Sequence, residues 1–148
     1  MFGFESLYDN RSSDEDLAYT SGTQRRILLT RDRGLLKHNA VTHGYWLRET
    51  DSREQAAEVI RRFDLSRSVR PFSRCMRCNE PLLSVSRDEI RHRLPARSAE
   101  AYSTFRTCAA CRRVYWPGSH YERMRRWIAQ LTGQEIPEPA GGVPNAPA

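Results

Sequence analysis

Arg74-Cys75-Met76-Arg77-Cys78-Asn79-Glu80-Pro81 and, about thirty residues further on, Cys108-Ala109-Ala110-Cys111-Arg112-Arg113 hold all four cysteines of the chain. A C-x-x-C turn brings both of its thiolates to one ion, and two such turns complete a tetrahedral sulfur site. The residues after each pair read as turns leading into short strands, Leu82 to Val85 and Val114 to Trp116. Two knuckles that each open a hairpin are the layout of a zinc ribbon. With sulfur at all four positions nothing is left open for a substrate, so structural Zn²⁺ on Cys75, Cys78, Cys108 and Cys111 is expected. The same cysteines also admit two disulfides or a redox C-x-x-C. The first suits an exported protein, and no export signal is visible; the second has no use for another pair.

Length and composition bound what surrounds this frame. At 148 residues there is room for one ordinary domain, or for two small ones of which one needs a staple. Hydrophobic residues at 39% and charged residues at 28% suit a soluble globular protein. No apolar run approaches a bilayer span and the N-terminus has no basic or apolar leader, so a cytoplasmic protein with no membrane partner is expected. Charge is unevenly spread: residues 1–60 carry 8 basic and 10 acidic side chains, and residues 61–131 carry 16 and 6. Nearly all the basic residues are Arg, Lys37 being the one lysine. An Arg-rich face is either plain solvated surface or a phosphate-binding surface, and the imbalance makes nucleic acid the leading partner. Arg74, Arg77, Arg112 and Arg113 flank the knuckles and are the candidate nucleic-acid contacts.

Upstream of the cysteines the pattern changes. Met1 to Tyr8 alternates apolar and polar residues like a short strand. Ser12-Ser13-Asp14-Glu15-Asp16 offers a helix cap with acids in the first turn, and that helix is expected to stop near Gly22. Arg26 to Thr30 reads as a buried strand, Leu35 to Asn39 as a short helix and Val41 to Leu47 as a strand. Asp51 with Glu54 makes a capping box, beyond which Ala56, Val59, Ile60 and Phe63 lie at helical spacing. Strands alternating with helices imply a parallel α/β sheet. The stretch Asp64 to Arg74, with Pro71, reads as a junction, giving a first domain over 1–66 and a ribbon domain over 67–131. Within the ribbon, Ser86 with Glu89 caps a short helix, and Ser98 begins another that carries Tyr102 and Phe105. Ser119 with Glu122 reads as a third capping box, and Tyr121, Met124, Trp127, Ile128 and Leu131 form one apolar stripe on the last helix. Residues 132–148 are rich in Pro, Gly and Ala and are expected to be disordered.

The first half supplies acids. Asp32 follows a buried strand, where open α/β sheets place their chemistry, and Asp14 heads an acid-rich helix. Converging carboxylates hold Mg²⁺ or Mn²⁺, which can activate a water for displacement at a phosphodiester. The alternatives are ordinary: Asp14 as a helix-dipole residue and Asp32 as a turn residue. His43 and His120 are either phosphate or base contacts or half-exposed surface histidines.

Ile27-Leu28-Leu29-Thr30-Arg31-Asp32-Arg33-Gly34-Leu35-Leu36 resembles the strand-end acid motif of PIN-like nucleases. Together with Val41-Thr42-His43-Gly44-Tyr45, the Arg74-Cys75-x-x-Cys78-Asn79 knuckle and Val114-Tyr115-Trp116-Pro117-Gly118-Ser119-His120, the chain resembles the Mut-seven C-terminal RNase domain family over about residues 3–131. That resemblance implies a PIN-like RNase fold joined to a C-terminal zinc ribbon, with RNA as the partner. It also implies Asp14 and Asp32 as the second and third acids of a magnesium or manganese site. Members of the family begin with a strand bearing an aspartate and a helix ending in Gly-Phe or Gly-Tyr; Gly3-Phe4 matches that ending. The expected architecture is therefore a truncated PIN-like parallel sheet with flanking helices, followed by a small zinc-ribbon domain and a C-terminal helix. Three readings follow: a metal-dependent ribonuclease weakened because the strand and aspartate expected before Gly3-Phe4 are not in the sequence, a non-catalytic RNA- or DNA-binding ribbon, and a protein-docking module. Metal-dependent cleavage separates the first from the others, and steep salt dependence separates the second from the third.

Overall fold

Ser13 caps the first helix as its sequence predicts. Its hydroxyl accepts from the Asp16 N–H, and the Asp16 carboxylate accepts from the Ser13 N–H, closing a capping box over α1 (Asp14–Gln24). The helix runs through Gly22, the expected stop, and ends at Arg25 in the left-handed region. Gly22 serves close packing instead, since a Cβ there would lie 2.6 Å from the Ala40 carbonyl oxygen. In the computed structural model, which describes residues 1–137, the chain divides into two compact units. Helix α1 belongs to the unit formed by Tyr8–Leu65.

In this unit β1 (Leu28–Thr30) pairs in parallel with β2 (Gly44–Trp46), Leu28 facing Gly44 and Thr30 facing Trp46. A 3₁₀ turn, Leu35–Lys37, lies between them, and α2 (Ser52–Arg62) follows with Asp51 accepting from the N–H groups of Arg53 and Glu54. Ala18, Leu35 and Ile60 are its buried apolar residues, and the buried Ser21 hydroxyl is satisfied by the Arg26 carbonyl at 2.8 Å. Such a small core leans on polar ties. Glu58 accepts from the Tyr45 hydroxyl at 2.8 Å and from the N–H groups of Arg48 and Glu49 at 3.1 and 3.2 Å, so it holds the backbone that leaves β2.

Desolvation opposes the Glu58 charge, but the bonds from Tyr45, Glu49 and Arg48 outweigh it and hold the carboxyl below its ordinary value. A depressed folded value means stabilisation that is complete above the unfolded pKa of about 4.3 and lost as pH falls through the folded value. Glu58→Gln is therefore expected to lower the melting temperature near neutrality and to narrow its gap from the parent in acid. Thermal melts of both proteins across that range check this; a constant gap would assign the loss to packing.

The second unit takes Met1–Leu7 together with the described chain over 66–137. Its sheet has β4 (Phe105–Cys108) between β3 (Leu82–Val85) and β5 (Val114–Tyr115), all antiparallel. Two short helices, α3 (Arg87–Ile90) and α4 (Ala96–Ala101), fill the crossing from β3 to β4, and Ser86 with Glu89 closes the expected box on the first. Phe105 is not helical, contrary to its sequence reading. The helix stops at Ala101, and Phe105 opens the central strand opposite Val85, buried to 2% exposure. Pairing on both sides of that strand outweighs the helical spacing of Tyr102 and Phe105.

Two further expectations are corrected. The last helix, α5 (Ser119–Thr132), is capped by Gly118 rather than by Ser119; no side chain caps it, and the Glu122 carboxylate meets Arg125 Nε at 3.0 Å. Met1 to Tyr8 forms no strand. Its carbonyls serve another segment instead, Phe2 O accepting from the Arg70 N–H at 2.9 Å and Met1 O from the Phe72 N–H at 3.0 Å. Gly3 permits this approach with φ +89°, because any Cβ would strike the Arg70 carbonyl. The Phe2 ring meets Trp127 edge-on at 5.3 Å, and along the α5 stripe Ile128 is fully buried while Tyr121, Met124, Trp127 and Leu131 are half-buried. Ile136, beyond the helix, is also buried, its carbonyl accepting from Arg125 Nη1 at 2.9 Å. Most of the stretch read as disordered, residues 138–148, lies outside the described residues. Among those described, no helix is long and apolar enough to cross a membrane.

Candidate functional site

The two C-x-x-C turns adopt the same backbone. In the first, the Cys75 N–H bonds the Glu80 carbonyl at 2.7 Å, the Asn79 N–H returns to Cys75 O at 2.9 Å, and Asn79 is left-handed at φ 59°. In the second, the Cys108 N–H bonds Arg113 O at 3.0 Å, the Arg112 N–H bonds Cys108 O at 2.9 Å, and Arg112 is left-handed at φ 58°. Each turn folds its two sulfurs inward. Cys75 Sγ lies 3.5 Å from Cys111 Sγ, Cys78 Sγ lies 3.4 Å from Cys108 Sγ, and all four ligand atoms fall within 4.8 Å of one another. Tetrahedral metal–sulfur bonds of about 2.3 Å put neighbouring sulfurs about 3.8 Å apart, so the donor set fits one such ion. The separations exceed the roughly 2.05 Å of a disulfide, and all four cysteines are free.

The surroundings set Cys75 and Cys78 differently. Burial works against a charged Cys75, but bonds from the Tyr115 hydroxyl and from the Cys78 and Arg77 N–H groups outweigh it and bring the thiol down to about 6. The Glu80 N–H favours the Cys78 thiolate, yet the Cys108 sulfur, burial and the other two cysteines push that thiol up to about 12. Four sulfurs this close cannot all carry charge without a cation among them. Tyr115 is pushed up to about 12 by burial and by its bond to Cys75.

Asn79 and Arg112 occupy equivalent left-handed positions, but only asparagine visits that region readily. Replacing Arg112 with Asn is expected to stabilise the metal-loaded protein by about 1 kcal/mol. Denaturant unfolding of both proteins checks this, and an unchanged or lower stability would show that the Arg112 side chain offsets its own backbone strain.

Of the four arginines proposed to meet nucleic acid, Arg77, Arg112 and Arg113 are exposed. Arg74 is half-buried and committed within the fold, with Nη1 donating to Asn79 O at 2.8 Å and Nη2 lying 3.7 Å from Glu5. The Asn79 side chain in turn donates to Phe4 O at 3.0 Å and accepts from the Ser6 N–H at 2.8 Å, which pins the N-terminal segment to the first knuckle.

The acids lie in the other unit. Asp14 is the first residue of α1 and exposed; Asp32 follows the end of β1, also exposed. Asp32 Oδ1 accepts from the Gly34 N–H at 2.6 Å and more weakly from Leu35 at 3.4 Å, so one oxygen shapes the turn beyond the strand. Among the described residues the four cysteines are the one place where three or more metal-binding side chains converge, and neither aspartate joins such a group. His43 and His120 are exposed, the first with Nδ1 3.0 Å from Thr42 Oγ1.

Sequence reasoning missed a cluster at the same end of the parallel sheet. Trp46 closes β2, its Nε1 donates to Arg31 O at 3.2 Å, and the guanidinium groups of Arg33 and Arg48 stand 4.6 and 5.6 Å from its ring. The signal was an aromatic strand end beside an Arg-Asp-Arg turn, but only the parallel pairing brings the two together.

The model of the Mut7-C RNAse domain family matches residues 1–128 of the chain. No curated protein and no solved structure gives a match.

Proposed function

Since the chain belongs to the Mut7-C RNAse domain family, we propose that it is a metal-dependent ribonuclease of PIN-like type with a structural zinc. The observation that carries this reading, beside the family, is the acid–arginine–aromatic cluster at the C-terminal end of the parallel sheet. That is the end at which open α/β folds bind their ligands. Asp32, oriented by the Gly34 N–H, and Asp14 at the head of α1 are the residues we assign to Mg²⁺ or Mn²⁺. Two carboxylates suffice for such an ion when waters complete its shell. Bound there, the ion supplies an activated water and neutralises charge on the phosphodiester. The chain's own part is to hold the strand: Arg33 and Arg48, stacked on Trp46, present their guanidinium groups to phosphate. In the second unit the exposed Arg77, Arg112 and Arg113 add phosphate contacts, with Arg74 bracing the knuckle beneath them. Four free thiols around one metal suit a reducing cytoplasm.

The test is cleavage of a fluorescent single-stranded RNA by the full chain with Mn²⁺, with Mg²⁺ and with neither. Cleavage that requires the divalent ion supports the reading. Binding of RNA without cleavage under any of these conditions would replace it with a non-catalytic nucleic-acid-binding protein. That second reading draws on the lack, among the described residues, of any group of three or more converging metal-binding side chains that includes Asp14 or Asp32.

A further inference from the structure

A cavity of about 500 Å³ opens on the ribbon unit, walled by Phe72, Tyr115, Trp116, Tyr121 and Met124 with Arg106 on one side. We propose that it takes one unpaired nucleobase of single-stranded RNA. This deepens the ribonuclease reading and rests on its premise that RNA is the partner.

The walls are fixed before any ligand arrives. The Phe72 and Tyr121 rings pack against each other at 4.1 Å with a 37° tilt. Tyr115 is held by its hydroxyl, which accepts from the Met76 N–H at 3.2 Å and lies 3.1 Å from Cys75 Sγ, so one wall is tied to the metal centre. Arg106 faces Tyr115 across the β4–β5 pair, and its Nη1 donates to Phe72 O at 3.1 Å, which sets the guanidinium against the aromatic wall. Rigid rings of this kind bind with little loss of side-chain freedom.

The chemistry of the rim selects the occupant. Met76 lines the cavity, is 49% exposed and precedes the exposed Arg77 in sequence, so the aromatic interior and a cationic knuckle adjoin. A ligand with a flat π-face and an attached phosphate satisfies both; an apolar peptide side chain uses only the first. Aromatic walls stack any of the four bases, so the site anchors a strand without reading its sequence. The volume lies in the range of small-ligand pockets, about 300–1,000 Å³.

The experiment measures binding of the full, zinc-loaded chain to an oligouridylate and to an abasic ribose-phosphate oligomer of the same length, without added Mg²⁺ or Mn²⁺. The parent is expected to bind the abasic oligomer on the order of tenfold more weakly. Trp116→Ala is expected to lose a similar factor toward oligouridylate and nothing toward the abasic strand, while Trp116→Phe retains most of the affinity. A photocrosslinking 4-thiouridine strand on the unmodified protein gives a readout that needs no variant, with adducts expected on Phe72 or within residues 115–124. Equal affinity of the parent for both oligomers, or adducts elsewhere alone, overturns the base pocket while RNA binding stands, and gives the cavity to an apolar peptide instead. Failure to bind either oligomer overturns the pocket and the RNA reading together.

Discussion

Stripping the metal from the four-cysteine centre is expected to unfold the unit that contains it. Structural zinc contributes about 10–16 kcal/mol to folding in small domains, against a net stability of about 5–15 kcal/mol for a whole domain. The unit has little to replace that with. Its buried apolar residues are few, and two of them, Cys75 and Cys108 at 2% and 1% exposure, belong to the four-cysteine cluster itself. The strands end on the same centre: Cys108 is the last residue of β4, and Tyr115 of β5 contacts Cys75. Without the ion, four crowded sulfurs lose the charge that holds them together, and the hairpins lose their common anchor. Elemental analysis is expected to find one zinc per chain in protein purified without chelator. Chelation should then remove the antiparallel sheet's share of the strand signal in circular dichroism and shift the emission of Trp116 and Trp127. Cys108→Ser and Cys78→Ser separate the two roles of the ligands. Both break the centre, but Cys108 also sits in the core while Cys78 is exposed, so the first is expected to be the more damaging. A metal-free protein with unchanged spectra would show that packing alone holds the ribbon.

What the sequence made legible was local. The Ser13 cap, the Ser86 box and both cysteine turns are set by residues within a few positions of one another and formed at their expected places, while Asp51 caps its helix without the return bond from Glu54 that a full box needs. The four-sulfur centre was readable because C-x-x-C spacing fixes half of the geometry locally and metal chemistry supplies the other half. Features that depend on distant pairing were not readable. Phe105 became a central-strand residue because Val85 lies opposite it, twenty positions away in sequence. Met1 and Phe2 lost their strand to Phe72 and Arg70, and Gly22 turned out to be a contact with Ala40 rather than a helix stop. The Trp46–Arg33 stack is of the same kind. Its partners are separated in the chain by a 3₁₀ turn and a loop, and they meet only through strand register.

Asp32→Asn is expected to reduce divalent-metal-dependent RNA cleavage by about a hundredfold to a thousandfold while leaving the fold intact. The substitution separates two jobs of one side chain. Asp32 Oδ1 accepts from the Gly34 and Leu35 N–H groups, and an asparagine presents a carbonyl oxygen to those same donors. The turn beyond β1 therefore survives, and with it the positions of Arg33 and Leu35. What disappears is the negative charge, and a neutral amide oxygen holds a hard dication far less well than a carboxylate. Asp32→Ala removes both jobs and should lower the melting temperature as well, because two backbone N–H groups lose their acceptor. The pair thus distinguishes a metal ligand from a turn residue, the two roles open for Asp32 from the start. Cleavage rates at saturating Mn²⁺, alongside thermal melts of both variants, are the measurements. If Asn cleaves like the parent and only Ala is impaired, in proportion to its lost stability, then Asp32 is a turn residue and the metal-binding acids lie elsewhere. If Asn melts like the parent and does not cleave, the charge of Asp32 is what the reaction requires.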